Sequence, residues 1–184
     1  GGKMNYMKIV PCDIANGEGV RVSLFVSGCN HHCPGCHNQQ TWDANAGQPF
    51  TEETLDELIE LLRPDYIQGL TLTGGDPMYP ENREIISDII YKVLVEFGDK
   101  KDIWMWTGYT YEELLSQINP LNKNDDIDMI LNLIDVIVDG PYIESKRDIS
   151  LPYMGSSNQR VIDCMKTTGY DNIGLWWAPE EKGK

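Results

Sequence analysis

Basic residues are scarce in this sequence of 184 residues, which carries 15 Lys and Arg against 29 Asp and Glu and a formal net charge of −14. Proteins that bind the phosphate backbone of nucleic acids need a basic stripe, so we expect no nucleic-acid partner. Long apolar runs are also absent, since runs such as Leu24–Val26 fall far short of the roughly 20 residues that a membrane-spanning helix requires. The sequence therefore predicts no membrane partner.

The amino terminus lacks a basic segment followed by an apolar stretch and a small-residue cleavage site. We therefore expect a cytoplasmic protein in a reducing compartment. We interpret Gly1–Lys3 as residues added ahead of a native start at Met4. Repeats, low-complexity tracts and Pro/Ser-rich linkers are absent as well, and a chain of this length can bury roughly 70% of its unfolded surface in one core. The sequence predicts a single domain over residues 4–184, with a carboxyl-terminal tail from about residue 164.

Predicted strands and helices alternate along the chain. The predicted strands are Arg21–Val26, Tyr66–Thr73, Asp102–Trp106, Val136–Val138 and Arg160–Ile162. The predicted helices are Thr51–Arg63, Glu81–Phe97, Thr110–Ile118 and Ile127–Ile134. This alternation is typical of an α/β fold with a parallel sheet, whose working face lies at the carboxyl ends of the strands. The turns Gly74–Gly75, Thr107–Gly108 and Asp139–Gly140 fall at those ends.

Cysteine is also scarce, but three of the five cysteines and all three histidines lie within nine residues. This cluster consists of Cys29, His31, His32, Cys33, Cys36 and His37. An odd number of cysteines in a reducing compartment argues against a disulfide framework and favours metal or redox chemistry. The isolated Cys12 and Cys164 are predicted to be small buried hydrophobic residues.

Three kinds of site fit the C-x3-C-x2-C spacing of Cys29, Cys33 and Cys36. A cluster of four irons takes one thiolate per iron, so three thiolates would leave one iron open to an amine and a carboxylate. A zinc ion could bind the three cysteines and one histidine, and Cys33–Cys36 could act as a redox dithiol. Zinc sites usually draw their ligands from two separated pairs, which weakens the zinc interpretation. The loop alone leaves all three interpretations open.

A second motif, Thr73-Gly74-Gly75-Asp76-Pro77, follows the second predicted strand. Taken alone, it is typical of a tight turn from a strand to a helix. Its two glycines would also leave backbone groups open to an ammonium group, with the Asp76 carboxylate nearby. We expect this turn and the cysteine loop to face one pocket.

The cysteine loop and the Gly-Gly-acidic-Pro turn together resemble the radical S-adenosylmethionine enzymes. Longer stretches, in order and in spacing, are similar to the activases of anaerobic ribonucleotide reductases within that superfamily. These stretches are Asp13–Arg21, Ser27–Cys29, Cys33–Asn38, Thr41–Trp42, Gly69–Pro77, Trp106–Tyr109, Val138–Gly140 and Gly155–Arg160. The resemblance covers roughly residues 4–161.

The resemblance implies an incomplete β/α barrel with mostly parallel strands and a [4Fe-4S] cluster on Cys29, Cys33 and Cys36. It also implies S-adenosylmethionine on the fourth iron. By this analogy Gly35, Cys36 and His37 border its adenosyl group, while Gly74, Gly75 and Asp76 hold its methionyl amine. Radical S-adenosylmethionine enzymes often carry an aromatic residue just before the last cysteine, where this sequence has Gly35. The activases often carry Tyr or Phe just after that cysteine, where this sequence has His37.

The implied reaction is one-electron reduction of the sulfonium, which breaks its bond to C5′ and gives methionine and a 5′-deoxyadenosyl radical. That radical takes a hydrogen atom from a glycine of the partner, an anaerobic ribonucleoside-triphosphate reductase. The electron comes from a low-potential donor of the flavodoxin or ferredoxin type. An activase of another glycyl-radical enzyme, of the formate-lyase type, and a non-catalytic zinc-binding module are the alternatives.

Several other side chains have two interpretations each. Trp104 and Trp106 share one face of a strand, which favours core packing over contact with a partner. Trp42 and Trp176–Trp177 fit either a docking surface for the reductase or a packed edge. Asp139 could line the pocket or cap a loop. His31 and His32 could donate hydrogen bonds to cluster sulfides or lie exposed on the loop.

Overall fold

The computed structural model describes residues 2–180, and over this range eight strands form one open sheet in the order β3-β1-β2-β4-β5-β6-β7-β8. The strands are β1 (Asn5–Asp13), β2 (Arg21–Val26), β3 (Gln48–Pro49), β4 (Gly69–Gly74), β5 (Asp102–Trp106), β6 (Val136–Asp139), β7 (Arg160–Asp163) and β8 (Leu175–Trp177). Gly1 and residues 181–184, which belong to the predicted addition and the predicted tail, lie outside the described residues.

The sheet is parallel at its centre and antiparallel at both sides. Strands β2, β4, β5 and β6 run parallel, whereas β3, β1, β7 and β8 each pair in the antiparallel sense. Three of the seven pairings are parallel and four are antiparallel, so the prediction of mostly parallel strands is wrong for the sheet as a whole. The physical reason is the connections, because a parallel neighbour needs a long crossover. Strands β1 and β2 are joined only by residues 14–20.

Four α-helices supply the crossovers and adjoining segments, close to their predicted positions. They are α1 (Glu52–Leu62), α2 (Arg83–Phe97), α3 (Tyr111–Gln117) and α4 (Asp126–Leu133). Helix α1 begins with a reciprocal cap in which the Thr51 hydroxyl accepts from the Thr54 amide and the Thr54 hydroxyl accepts from the Thr51 amide. None of the helices in the described range is long and apolar enough to cross a membrane.

The start of β4 differs from the prediction by three residues. Residues 66–68 lie before the strand, because Pro64 and Ile67 form a turn in which the Ile67 amide donates to the Pro64 carbonyl over 3.0 Å. The buried Lys101 ammonium reinforces this turn with bonds of 2.9 Å to Pro64 O and 2.7 Å to Ile67 O. Lys101 lies just before β5, more than 30 residues after the turn that it stabilises. Local sequence propensity does not reveal such a distant contact.

The two faces of the sheet bury different side chains. Ile103 and Met105 of β5 belong to the large aliphatic cluster that includes the helices. Trp104, on the other face, belongs to a smaller aromatic cluster with Tyr153 and Trp176. The Trp104 and Trp176 rings lie 4.8 Å apart. Core packing of Trp104 is thereby confirmed, and the described part of the tail is held to the sheet through β8.

The two isolated cysteines have different surroundings. Cys164 is buried as predicted, and burial strongly raises the pKa of its thiol. Cys12 is exposed near the end of β1, so the prediction that it is buried is wrong. Strand β1 pairs with β3 only at Asn5 and Tyr6, which leaves the Cys12 end of the strand with β2 as its one strand neighbour.

Candidate functional site

A cavity of about 210 Å³ lies at the carboxyl ends of the parallel strands. It is lined by the three clustered cysteines and by the turns that follow β4, β5 and β6. These residues include Cys29, Cys33, Cys36, His37, Gly74, Gly75, Thr107, Gly108 and Gly140. The prediction that the cysteine loop and the Gly-Gly turn face one pocket is confirmed, and this pocket lies at the strand ends where the sequence predicts the working face.

The Gly-Gly turn is pressed directly against the beginning of the cysteine loop. The Gly75 amide donates to Val26 O over 2.8 Å, and the following Asp76 amide donates to Gly28 O over 2.7 Å. A Cβ atom at Gly75 would lie 2.6 Å from Gly28 O and 3.0 Å from Thr41 O, both of which are backbone atoms. Glycine at position 75 therefore permits the contact between the two motifs.

Burial raises the pKa of the Cys29 thiol to about 11, although the nearby backbone amides of His31 and His32 oppose that shift. Burial also raises the pKa of the Cys33 thiol. A reactive dithiol needs a lowered pKa, so the raised pKa of Cys33 argues against the redox interpretation of Cys33–Cys36. Metal binding to such thiols releases protons, because the thiolate is the ligand.

The Asp76 carboxylate lies behind the turn and is 1% exposed. Its Oδ1 accepts from the Met78 amide over 2.8 Å. Its Oδ2 accepts from the Thr107 hydroxyl over 3.1 Å and the Gly108 amide over 3.0 Å, and lies 2.8 Å from His31 Nε2. Gly74 and Gly75 line the cavity, whereas Asp76 is absent from its lining. Contact of Asp76 with a ligand remains a prediction.

The three histidines have separate environments. The His31 side chain is 17% exposed and lines the cavity. His32 is exposed and stacks on Trp42 with ring centres 4.5 Å apart. His37 lines the cavity, and its ring centre lies 5.8 Å from that of Tyr142. Only His31 and His37 are therefore placed to act at the cavity.

The donor atoms fit a multi-iron group better than a single zinc ion. Thiolates that share one tetrahedral zinc lie roughly 4 Å apart, given Zn–S bonds of about 2.3 Å. Within residues 2–180, the one set of three donors with all atoms within 4.8 Å of one another is Cys29, His31 and Asp76. The three cysteine sulfurs do not form such a set. At least one pair of these sulfurs therefore lies more than 4.8 Å apart.

Comparison with known proteins identifies the family. Residues 15–162 match the family model of the 4Fe-4S single cluster domain. A relative from Enterobacteria phage T4 is 49% identical over 158 residues, which cover 86% of this chain and 93% of the relative. Relatives from Escherichia coli K12 and Vibrio cholerae are each 44% identical, with 86% and 85% of this chain covered and 97% and 96% of their own lengths. All three are named anaerobic ribonucleoside-triphosphate reductase-activating protein.

The chain belongs to this family of reductase-activating proteins.

Membership in the activating-protein family confirms the resemblance found in the sequence. It also favours the iron-sulfur cluster over the zinc and dithiol interpretations of the cysteine loop, because the matched domain is one with a single 4Fe-4S cluster. The separation of the three sulfurs argues against a single zinc ion, and the raised pKa of Cys33 argues against a reactive dithiol.

Gln159 has no role predicted from the sequence, although it lies in one of the stretches that carry the resemblance to the activating-protein family. The side chain lines the cavity and joins two of its walls. Its Oε1 accepts from the Gly155 amide over 2.9 Å, and its Nε2 donates to Gly140 O over 2.9 Å. Tyr142 also lines the cavity. Tyr142 lies just after β6 and Gln159 lies just before β7. Because these two strands pair, their positions in the sequence could have indicated that both residues reach the cavity.

Asp139 caps a helix and binds an arginine outside the cavity. It is 1% exposed, and its Oδ2 accepts from the Tyr111 amide at the start of α3 over 2.8 Å. Arg160 Nη2 lies 2.5 Å from the same oxygen and 2.6 Å from Glu112 Oε2. Of the two interpretations of Asp139, the structure thus supports capping.

Proposed function

We propose that this protein binds a [4Fe-4S] cluster through Cys29, Cys33 and Cys36, binds S-adenosylmethionine beside it, and forms a glycyl radical on an anaerobic ribonucleoside-triphosphate reductase. The observation that carries the proposal is the single cavity shared by three thiols and the Gly74–Gly75 turn in a member of the activating-protein family. The names of the relatives supply the class of partner.

When bound, the cluster supplies one electron to the sulfonium of S-adenosylmethionine, whose bond to C5′ breaks to give methionine and a 5′-deoxyadenosyl radical that takes a hydrogen atom from a partner glycine. The three cysteines would hold the cluster as thiolates, and the amine and carboxylate of the methionyl group would bind beside them. A low-potential donor of the flavodoxin or ferredoxin type provides the electron.

Residues on different sides of the cavity bind different parts of S-adenosylmethionine. Backbone groups of Gly74 and Gly75 receive the methionyl amine, with the Asp76 carboxylate behind them. Gly35, Cys36 and His37 border the adenosyl group, and His37 takes the place of an aromatic residue there. Trp106 and Tyr142 also line the cavity and limit the access of water to the reacting atoms.

The surrounding negative charge favours a low reduction potential. The whole chain carries a formal net charge of −14, and the Asp76 carboxylate lies within 4.8 Å of the Cys29 sulfur. Adding an electron near carboxylates is unfavourable, which moves the potential toward the low end of the range for iron-sulfur sites. Distant carboxylates contribute little, because salt screens them over about 8 Å.

We also propose that the sheet is the incomplete β/α barrel of the radical S-adenosylmethionine enzymes, in one domain from residue 4 onward. The parallel strands β2, β4, β5 and β6 would be its barrel portion. The cavity at their carboxyl ends is where barrels of parallel strands hold their active sites.

The direct test is anaerobic reconstitution with iron and sulfide, followed by reduction and assay of 5′-deoxyadenosine and methionine. We expect both products from the wild-type protein, and none from the Cys29→Ser, Cys33→Ser or Cys36→Ser variants. The exposed Cys12→Ser variant is the matched control and should retain full activity. Product formation by any of the three loop variants would overturn the ligand assignment.

The partner is tested separately, by electron paramagnetic resonance of the glycyl radical. We expect the radical on an anaerobic ribonucleotide reductase and not on a formate-lyase type enzyme. The reverse result would assign the protein to another activation reaction. A colourless protein with one tightly bound zinc, and no product, would establish a zinc-binding module.

A further inference from the structure

One buried oxygen joins three of the loops that surround the cavity. Asp76 follows β4, and its Oδ2 receives the Thr107 hydroxyl and the Gly108 amide, which follow β5. The third contact on the same oxygen is His31 Nε2, at 2.8 Å, from the cysteine loop that follows β2. The Asp76 side chain therefore links the ends of three adjacent parallel strands.

The His31 ring lies between the Asp76 carboxylate and two residues that follow β5, Gly108 and Tyr109. Its centre lies 4.5 Å from that of Tyr109, with the rings nearly perpendicular at 78°. A Cβ atom at Gly108 would clash with His31 Cδ2, so glycine at this position leaves room for the ring. A carboxylate oxygen accepts hydrogen bonds, which makes Nε2 the protonated nitrogen that donates to Asp76.

The same residue also influences the first cysteine. His31 lies two positions after Cys29, and the nearby backbone amides of His31 and His32 act to lower the pKa of the Cys29 thiol. Fixing the His31 ring therefore also fixes the peptide groups that face this sulfur. Hydrogen bonds to cysteine sulfur are among the factors that set the potential of an iron-sulfur site.

On the basis of the proposed function, we infer that His31 is a positioning residue that, through Asp76, holds the cysteine loop against the Gly74–Gly75 turn in the arrangement that receives S-adenosylmethionine. It acts on the site through the loop backbone beside Cys29 and through the turn, and it is not itself a cluster ligand. This role also explains why Asp76 lies behind the cavity wall, since its oxygens are occupied by the groups it orders.

Three substitutions test the inference in the reconstituted protein. His31→Leu removes the donor to Asp76 and keeps much of the bulk, whereas His31→Gln keeps a donor. His32→Leu is the matched control, because His32 is the next residue and packs on Trp42 outside the cavity. The measurements are iron content, the KM for S-adenosylmethionine, kcat and the midpoint potential of the cluster.

We expect His31→Leu to retain its iron but to raise the KM for S-adenosylmethionine about tenfold, the size of one lost hydrogen bond to a charged group. The midpoint potential should become more negative as the amides that face Cys29 lose their fixed positions, and kcat should change less than KM. His31→Gln should recover most of the wild-type KM, and His32→Leu should match the wild type.

Two results would overturn the inference. One is a wild-type KM and potential in His31→Leu. The other is loss of iron in both His31 variants, which would make His31 a metal ligand.

A further measurement needs neither iron nor S-adenosylmethionine. The Gly108 amide, which donates to Asp76 Oδ2, should exchange its hydrogen faster in metal-free His31→Leu than in metal-free wild type. Unchanged exchange would reject the link between His31 and Asp76. If instead the link is present and the wild-type protein does not cleave S-adenosylmethionine, the proposed function has failed and the loop-positioning role of His31 stands alone.

Discussion

At the amino ends of the parallel strands a buried cation gathers carbonyl groups, whereas at their carboxyl ends a buried anion gathers amide, hydroxyl and imidazole donors. Arg21, at the start of β2, is 0% exposed and donates to Leu70 O over 2.9 Å, Glu18 O over 3.0 Å and the Thr71 hydroxyl over 2.8 Å. Asp76, just after β4, accepts from groups on the loops that line the cavity.

The difference shows that the amino ends of the parallel strands serve mainly stability, whereas their carboxyl ends carry the candidate site. Arg21 ties together the starts of β2, β4 and β5, since it also forms an ion pair of 2.6 Å with Asp102 at the start of β5. Its partners are backbone groups and side chains of regular strands and their entry turns. The partners of Asp76 lie in irregular loops that carry the cysteines and glycines of the cavity. Substitutions at the two ends should therefore have different consequences.

The largest effect is expected at the amino end, for Arg21→Met. This change removes the hydrogen bonds to Leu70 and Thr71 and leaves the Asp102 carboxylate without its cation. Leaving buried acceptors without a charged donor costs about 1–3 kcal/mol of folding free energy each, whereas water can partly replace the cation at Asp102, whose side chain is 28% exposed. Guanidinium unfolding of the metal-free protein should show a lower free energy of unfolding for Arg21→Met. The fraction of this variant that is folded at low temperature should still bind iron.

Arg147→Met is the matched control, because Arg147 is exposed and should change stability by less than about 0.5 kcal/mol. Equal stabilities of Arg21→Met and the control would remove the distinction drawn between the two ends of the sheet.

An intermediate effect is expected at the carboxyl end, for Gly75→Ala. The new Cβ atom would meet Gly28 O and Thr41 O, so the Gly-Gly turn and the cysteine loop must move apart. Overpacking of this kind costs about 1–3 kcal/mol. We expect a larger rise in the KM for S-adenosylmethionine than fall in kcat, measured by formation of 5′-deoxyadenosine.

Gly98→Ala provides the control, because Gly98 has a φ of 59° but open space around its Cβ position, at the end of α2. Its substitution should also destabilise the fold, yet leave the KM unchanged. If both variants changed the KM equally, loss of stability rather than displacement of the turn would explain the effect.

The parallel centre could be predicted from sequence because each of its elements carries its own signal. Thr51 caps α1, aliphatic residues recur along α2, and glycines end the strands. Strand β1 gives no such signal. Its residues are partly buried or exposed without regular alternation, and only Asp13 at its end is buried. The antiparallel strand β8 has only three residues, Leu175–Trp177, too few for a recognisable period.

The cysteines and glycines of the candidate site could be predicted because they lie in contiguous motifs. The connections between those motifs could not, because His31 and Thr107 lie 45 and 31 positions from Asp76. The prediction that Asp76 lies near a ligand rests on its position directly after Gly74 and Gly75 in the motif. The buried contacts of its carboxylate depend on the register of three strands, which no local pattern contains. The bridging role of Gln159 was missed for the same reason.

The smallest effect is expected for Glu112→Gln, at an ion pair of the carboxyl end that lies outside the cavity. Hydrogen bonds from Arg160 lower the pKa of the Glu112 carboxyl below its ordinary value of 4.5. A lowered pKa in the folded state means that the pair stabilises the protein above pH 4.5, and that this contribution is lost as the pH falls through the folded-state pKa. The Glu112 side chain is 38% exposed, so solvent screening limits the contribution to below about 1 kcal/mol. Thermal unfolding should show Glu112→Gln slightly less stable than wild type at pH 7 and equal to it in acid.

Glu113→Gln, an exposed neighbour with no ion pair among the described residues, should match wild type at both pH values. A deficit of Glu112→Gln that persists in acid would mean that packing, rather than the charge on Glu112, stabilises this corner of the sheet.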